Sequence, residues 1–229
     1  MRTLSLNSNG ADVMFLQCLL NKRNANPRLV EDGSFGQRTK TALMAYQRAA
    51  RPPLVADGVA GPKTWTSLGT LTERLHAVNL LGQPSNMSCW SAAASMILGN
   101  MSVGPGAAHT GGDGGLTPDL GNIEVLLQGL NWRLLNNQSR PALNTLLSAL
   151  RQGPLWVAFE GGTFKHAVVF SGFYTDAAGD ESATVFRIHD PWPPGRGTVY
   201  GSTYHNSVVS LRSIQPPKQA MIQYVASPR

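Results

Sequence analysis

The sequence predicts an α+β protein: a small helical module, then a domain with its helices first and its antiparallel strands afterwards. Near the N-terminus, the apolar residues Val13, Leu16 and Leu19 recur at helical spacing. The second half of the chain instead contains runs rich in β-branched and aromatic residues, namely PLWVAFE, HAVVFSGFY, TVFRIHD and AMIQYVA. Such runs are typical of strands. Segregated helices and strands favour α+β over an alternating α/β fold.

The chain length suits one small and one medium domain. It has 229 residues, of which 42% are hydrophobic, enough for two cores. We expect the domains at 1–70 and 71–229. The segment Gly69 to Asn79 between them contains no long low-complexity tract, so the predicted linker is short.

The first domain contains an internal repeat. DGSFGQRTKTAL at Asp32–Leu43 returns as DGVAGPKTWTSL at Asp57–Leu68. Each copy has an Asp-Gly turn, a second glycine three residues after the first, and a threonine-containing helix start. With the helix predicted over Ala11 to Leu20, the repeat indicates a bundle of roughly three helices.

Residues 3–70 resemble the type 1 peptidoglycan-binding module found on many cell-wall hydrolases. The matching elements are Asn9-Gly10, FLQCLL, EDGSFGQRT, ALMAYQ, DGVAGPKTW and Leu68. The resemblance implies peptidoglycan as a partner, bound in a shallow groove between helices. Because Phe35, Tyr46 and Trp65 are also needed to close so small a core, no residue is assigned to ligand contact.

In the second domain we expect amphipathic helices over Pro118 to Leu130 and Arg140 to Leu150. The stretch Gly99 to Gly115 has seven glycines in seventeen residues and few groups to bury. This composition favours a mobile loop. Two interpretations stay open: a lid or substrate rim, or a solvated connector.

Cys89 is the leading candidate for a nucleophile. QPSNMSCW leads directly into the small apolar run SAAASMIL, so Cys89 is predicted in the first turn of a helix. Free backbone N–H groups and the helix dipole favour a thiolate there. The alternative is a small buried hydrophobic residue, the commoner role of a lone cysteine. A catalytic role therefore requires partners.

Two partner candidates follow in the chain. His166 opens the run HAVVFSGFY, and Asp190 ends the run TVFRIHD before PWPPGRG. The order cysteine, histidine, aspartate allows a nucleophile, a base and a residue that orients the base to meet in space. His189, next to Asp190, points to the other face of a strand and is expected to be a surface or loop-packing residue.

Residues 76–227 resemble the papain-like cysteine peptidases, in particular the compact bacterial branch that includes plant-pathogen effector proteases. Gln83 stands six residues before Cys89, and Trp90 with small residues follows it. His166 heads an apolar strand, and a DPWPPG segment begins at Asp190.

The resemblance implies a Cys-His-Asp cysteine hydrolase of papain-like fold. Cys89 would attack an amide carbonyl, His166 would carry the proton to the leaving amine, and Asp190 would orient the imidazole. Gln83 and the backbone N–H of Cys89 would stabilise the oxyanion. The alternative for Gln83 is a loop residue that hydrogen-bonds the chain.

Two tryptophans are candidates for substrate binding. Trp192 lies in the turn after Asp190, where it either contacts substrate or packs in a rigid, proline-braced turn. Trp90 either contributes to the substrate site or packs to position the helix of Cys89.

Composition excludes several classes of function. The net charge of +6 and the isoelectric point near 9.7 suit polyanionic surroundings, but the basic residues are scattered, so nucleic-acid binding is not expected. Cys18 and Cys89 fall in different domains, and we expect both to be free. No cysteine or histidine pair has metal-ligand spacing, and no cofactor is implied.

The N-terminal sequence lacks an apolar signal region, and no segment approaches the roughly 18 apolar residues of a membrane span. We therefore expect synthesis in the cytoplasm and export or injection into a target cell's periplasm. A contractile machine such as type VI secretion is the favoured route, and it implies a cognate immunity protein. A phage endolysin released by a holin is the alternative.

The functional prediction is a cysteine peptidase or amidase that cleaves peptide or amide bonds of the cell wall, as an antibacterial effector. A second interpretation keeps the chemistry but cleaves proteins, with the first module as a wall tether. A third is an inactive wall-binding or adhesion protein on a degenerate peptidase scaffold. The presence of Gln83, Cys89, His166 and Asp190 argues against the third.

Overall fold

The structure is a computed structural model that describes residues 1–99, 103–136, 140–161, 164–214 and 217–229. The α+β class predicted from the sequence is confirmed. The chain divides into two compact units. Unit 1 contains Met1–Arg74, Phe173–Phe186 and Gly201–Thr203, and unit 2 contains Leu75–Gly172, Arg187–Tyr200 and Tyr204–Arg229.

Unit 1 contains the three helices that the repeat predicts. They are α1 (Ala11–Lys22), α2 (Gln37–Ala49) and α3 (Pro62–Leu68). The two Asp-Gly turns precede α2 and α3, with Gly33 at φ 74° and Gly58 at φ 71°. Glycine adopts this left-handed conformation without steric cost, so the repeated Asp-Gly pairs are required by the backbone.

Two buried glutamines hold these turns. The side-chain oxygen of Gln17 on α1 accepts the Gly33 N–H at 2.9 Å, and its Nε2 donates to Asp32 at 2.8 Å. Gln47 on α2 repeats both bonds with the second Asp-Gly turn, at 3.0 and 2.9 Å. The repeat therefore has a structural role, because the Asp-Gly turn of each copy supplies the hydrogen-bond partners of a buried glutamine amide.

The core of unit 1 combines the helices with later parts of the chain. Phe15 of α1 stacks on Tyr174 with ring centroids 5.7 Å apart, and Val185 belongs to the same buried cluster. The Lys22 ammonium lies 2.8 Å from the Asp176 carboxylate. Eleven of the twelve residues of α1 are buried.

Within its described residues, unit 2 contains three α-helices: α4 (Cys89–Leu98), α5 (Leu120–Gly129) and α6 (Leu143–Gln152). The helices α5 and α6 confirm the prediction of helices over 118–130 and 140–150. No described helix combines the length and the apolar character needed to cross a bilayer.

The strands form an antiparallel sheet that closes like a barrel. Their order is β1-β4-β3-β8-β7-β6-β5, with β2 paired to β8 and a further pairing between β4 and β5. The strands are β1 (Leu71–Leu75), β2 (Trp132–Leu134), β3 (Leu155–Gly161), β4 (Phe164–Asp176), β5 (Thr184–Asp190), β6 (Thr198–His205), β7 (Val208–Leu211) and β8 (Lys218–Pro228).

One buried tryptophan connects α4 to the sheet. Trp156 on β3 is fully buried, and its indole N–H donates to the carbonyl of Trp90 on α4 at 3.1 Å. On the same strand, Phe159 pairs with His166 of β4. The first turn of α4 is thereby fixed against the strand pair that carries His166.

Candidate active site

Cys89 is the first residue of α4 and is partly exposed. Its helix packs closely because Ala92, Ala93 and Ala94 are fully buried and small. The preceding loop is held by Ser88, whose hydroxyl accepts the backbone N–H of Ser85 at 3.0 Å. Cys89 therefore lies at a helix start, as predicted, where the first backbone N–H groups of a helix lack intrahelical partners.

The structure brings Cys89, His166 and Asp190 together. His166 lies on β4 and is 8% exposed, and Asp190 ends β5 and is fully buried. The His166 Nε2 lies 2.7 Å from Asp190 Oδ1. The His166 side chain also hydrogen-bonds the Cys89 side chain. Since Nε2 is engaged by the carboxylate, Nδ1 is the ring nitrogen left for the sulfur.

The positive charge of His166 and the negative charge of Asp190 stabilise each other. Burial by itself lowers the pKa of His166, but hydrogen bonds and charge interactions with Asp190 and Cys89 raise it to about 10. Burial likewise raises the pKa of Asp190, yet the bond to His166 and further donors hold it below its usual value. At neutral pH the pair is therefore an imidazolium and a carboxylate.

Asp190 has further donors. The backbone N–H of Trp192 donates to Oδ1 at 2.9 Å, and the hydroxyls of Tyr200 and Ser213 donate to Oδ2 at 2.8 and 2.6 Å. Neither Tyr200 nor Ser213 is predicted from the sequence. Tyr200 lies on β6, a strand that has no strong sequence signal, and no local motif marks Ser213.

Gln83 is fully buried, and its hydrogen bonds are to the loop before Cys89 and to the turn after Asp190. Its Nε2 donates to the Ser85 carbonyl at 2.6 Å, while its Oε1 has no hydrogen-bond partner among the described residues. Its backbone N–H donates to the Pro191 carbonyl, and its own carbonyl accepts from the Gly195 N–H, both at 2.9 Å. Gln83 does not line the cavity beside Cys89. Its oxyanion role stays a prediction.

A cavity of about 440 Å³ adjoins Cys89 and His166. Trp90 and Trp192 both line it. The indole N–H of Trp90 donates to the Gly114 carbonyl at 3.2 Å, so this ring also packs. Trp192 is half-buried. The wall is otherwise largely apolar and includes Met87, Leu116, Trp156, Phe159, Ile214 and Tyr224.

The glycine-rich stretch borders this cavity. Residues 100–102 of the predicted 99–115 loop lie outside the described residues, but Gly115 lines the cavity. The backbone of His109 exchanges two hydrogen bonds with the side chain of Asn122, at 2.7 and 2.8 Å. The stretch therefore contributes to the rim of the cavity, and its function as a lid stays a prediction.

His189 corrects one expectation. It is not a surface or loop residue but is 6% exposed within β5, with Nδ1 2.8 Å from the Ser171 hydroxyl. Burial, with the charge of Arg187, lowers the pKa of His189 to about 4. The prediction was wrong because β5 is buried along almost its whole length.

The structure also bears on metal and disulfide chemistry. Across the described residues, no cluster of three or more histidine, cysteine, aspartate or glutamate side chains could hold a metal ion. Cys18 is buried on α1, and both cysteines are free thiols.

Comparison with known proteins gives two family matches. A peptidoglycan binding domain matches residues 9–68, and the papain-like cysteine protease AvrRpt2 family matches residues 123–207. The second span includes His166 and Asp190 and begins after Cys89.

Among solved structures, the crystal structure of the Burkholderia AP3 phage endolysin is 48% identical over 30% of this chain, with a TM-score of 0.27. The chain matches 25% of the length of that endolysin. No curated protein matches the chain. Along the chain, a match to a peptidoglycan binding domain is therefore followed by a match to the papain-like cysteine protease AvrRpt2 family.

Proposed function

We propose that this protein is a cysteine hydrolase that cleaves peptide or amide bonds of peptidoglycan. The observation that carries the proposal is the hydrogen-bonded series of Cys89, His166 and Asp190 beside an open cavity. The peptidoglycan binding domain on the same chain supports the wall as the substrate.

Cys89 is the nucleophile in this proposal. The reactive form of cysteine is the thiolate, and the imidazolium of His166 lies next to the sulfur. The thiolate attacks the carbonyl carbon of the scissile amide and forms a carbon–sulfur bond. The carbon–nitrogen bond then breaks as His166 gives its proton to the departing amine. A thioester on Cys89 and a free amine result.

The second half of the reaction consumes water. Neutral His166 removes a proton from a water molecule, whose oxygen attacks the thioester carbonyl. The carbon–sulfur bond breaks, the thiolate–imidazolium pair is restored, and the carboxylic acid product leaves and loses its proton to solvent. Asp190 keeps the imidazole in one tautomer and orientation through both steps.

Oxyanion stabilisation is assigned to the backbone N–H of Cys89 and to the side chain of Gln83. The N–H lies in the first turn of α4, where helical N–H groups lack intrahelical partners. The amide of Gln83 donates to the Ser85 carbonyl in the free protein. It takes part only if substrate binding redirects one of its two N–H donors.

The N-terminal domain serves as an anchor. A domain that holds the chain on a polymer raises the effective concentration of the cavity near neighbouring wall peptides. We further propose that the protein is exported or injected into the periplasm of a competing cell, with type VI secretion as the favoured route. Release as a phage endolysin is the alternative route.

Directed expression tests the site of action. The protein addressed to the bacterial periplasm by an added signal peptide should lyse cells, whereas the same protein kept in the cytoplasm should not. Lysis from the cytoplasm alone would contradict the proposal. Protection by a small secreted product of a neighbouring gene would identify the immunity protein that the toxin interpretation requires.

Cleavage of proteins is the second candidate function, favoured by the match to a papain-like cysteine protease family. A parallel assay separates the two. Purified sacculi and a denatured protein are each incubated with wild type, Cys89→Ala and Cys18→Ala. Cys18 is the matched control, since it is the other cysteine and is buried on α1.

Wall fragments released by wild type and Cys18→Ala but not by Cys89→Ala support the proposal. Intact sacculi with a cleaved protein substrate would favour the protease function instead. Equal release by Cys89→Ala would contradict Cys89 as the nucleophile, and no release from either substrate by wild type would favour a wall-binding protein without hydrolase activity.

A further inference from the structure

The carboxylate of Asp190 is enclosed on both oxygens. Oδ1 is shared by the His166 ring and the Trp192 N–H, at 2.7 and 2.9 Å. Oδ2 is shared by the hydroxyls of Tyr200 and Ser213, at 2.8 and 2.6 Å. Each oxygen therefore has two partners, and the side chain is fully buried.

Two of these partners follow Asp190 in the sequence, Tyr200 by 10 residues and Ser213 by 23. Tyr200 is 8% exposed on β6, and Ser213 follows β7. Burial and the charge of Asp190 raise the pKa of Tyr200 well above its ordinary value. Tyr200 is therefore a permanent donor to the carboxylate at working pH.

The geometry determines what these hydroxyls can do. A carboxylate bonded only through Oδ1 can turn about the bond between Cβ and Cγ and move that oxygen away from the imidazole. Two donors on Oδ2 oppose this rotation, because any turn breaks short bonds to a buried charge, which are costly to lose. The hydroxyls thus act on Oδ1 and through it on His166.

We propose that Tyr200 and Ser213 are positioning residues that fix the Asp190 carboxylate and thereby hold His166 against Cys89. The inference rests on the proposed function. The site then includes, besides the residues predicted from the sequence, two hydroxyls that bond the Asp190 oxygen facing away from His166. Neither hydroxyl is assigned a contact with the substrate.

The test removes one hydroxyl at a time. Tyr200→Phe and Ser213→Ala each delete a donor to Oδ2, and Ser213→Thr restores a hydroxyl at the second position. Tyr204→Phe is the matched control. Tyr204 is a buried tyrosine on the same strand, but its hydroxyl donates to the Pro141 carbonyl and not to Asp190.

The first measurement is kcat and KM on soluble wall fragments. We expect kcat to fall about 10- to 100-fold in Tyr200→Phe and in Ser213→Ala with KM little changed, the range typical of lost supporting bonds at buried sites. Ser213→Thr should recover most of kcat, and Tyr204→Phe should match wild type. Equal losses in Tyr200→Phe and Tyr204→Phe, measured on folded proteins, would overturn the proposal.

The second measurement does not depend on the substrate. Iodoacetamide alkylates thiolates, and Cys18 is only 1% exposed, so the alkylation rate of the native protein reports on Cys89. At about pH 6, below the ordinary thiol range, alkylation should slow about 10-fold in Tyr200→Phe and not in Tyr204→Phe.

The two measurements separate the two ideas. If neither wild type nor any variant hydrolyses the wall but Tyr200→Phe still slows alkylation, the proposed substrate is wrong and the positioning role is supported. If wild type hydrolyses the wall and Tyr200→Phe changes neither kcat nor alkylation, the positioning role fails alone.

Discussion

At the scale of single residues, the proposed chemistry depends on the proton held by His166. Its pKa is raised to about 10 because bonds to Asp190 and Cys89 outweigh burial. The stabilisation that this charged pair contributes is fully present below the ordinary histidine value and is lost as pH rises through about 10. The alkaline limit of activity is therefore assigned to His166.

Asp190→Asn tests this assignment. The amide removes the negative charge that keeps the proton on His166, so the pKa of His166 should fall. We expect the alkaline limb of the kcat/KM profile to move down by about one pH unit or more, with a loss of about 10-fold or greater at neutral pH. An unchanged alkaline limb in the folded variant would contradict the assignment.

Gln83 is the residue whose predicted role differs most from its contacts in the free protein. If its amide donates to the oxyanion, Gln83→Ala should lower kcat by about 100-fold or more with little change in KM. The structure also gives it a loop contact with Ser85, so thermal unfolding of the variant is the control. A folded variant with the wild-type kcat would restrict Gln83 to its loop role.

At the scale of elements, the loop before Cys89 and the turn after Asp190 pack closely against each other. The backbone of Gln83 bonds to Pro191 and Gly195. A Cβ on Gly82 would lie 2.5 Å from the carbonyl carbon of Gly195 and closer still to the nitrogen of Arg196. Because backbone lies on both sides, no side-chain rotation can relieve such a contact.

Gly82→Ala should therefore push the loop and the turn apart. We expect a loss of stability of about 1–3 kcal/mol, the usual cost of overpacking, with a fall in kcat/KM of about 10-fold or more. Gly153→Ala is the control, since a Cβ there meets no atom within 4 Å and its φ of −177° suits any residue. Equal behaviour of the two variants would contradict the close packing.

At the scale of the whole molecule, the core of unit 1 depends on distant parts of the sequence. Phe15 stacks on Tyr174, and Val185 joins the same cluster, although both lie more than a hundred residues further along the chain. The helical segment is thus completed by strand residues that follow His166 in sequence.

A fragment of residues 1–74 tests this dependence. Without its strand residues, the face of α1 that carries Phe15 should be exposed to water. We expect the fragment to unfold at a lower temperature than unit 1 in the full chain and to bind a hydrophobic dye such as ANS. A cooperative transition at the temperature of the full-length protein, without dye binding, would show that the helices close their own core.

Local signals account for the parts of the fold that the sequence predicted. The Asp-Gly turns require glycine, and the apolar runs of β3, β4, β5 and β8 are long enough to be recognised as strands. The strands β1, β2, β6 and β7 were not predicted: LTERL is mostly polar, WRL is too short, and pairing with neighbours decides such segments.

The same limit applies to the site. Cys89, His166 and Asp190 were predicted from motif order, and the structure brings their side chains together. Tyr200 and Ser213 approach Asp190 only through the closure of the sheet, which leaves no mark in their own sequence neighbourhood. His189 was misplaced because strand alternation does not reveal that both faces of β5 are covered.

The central claim is that Cys89 hydrolyses an amide bond of the wall. It is tested most directly by mass spectrometry of the fragments that wild type and Cys89→Ala release from purified sacculi in heavy-oxygen water. We predict that only wild type releases fragments and that each new carboxylate carries one heavy oxygen, at the carbonyl of the cleaved bond. Label on a sugar end, or equal release by Cys89→Ala, would contradict the account.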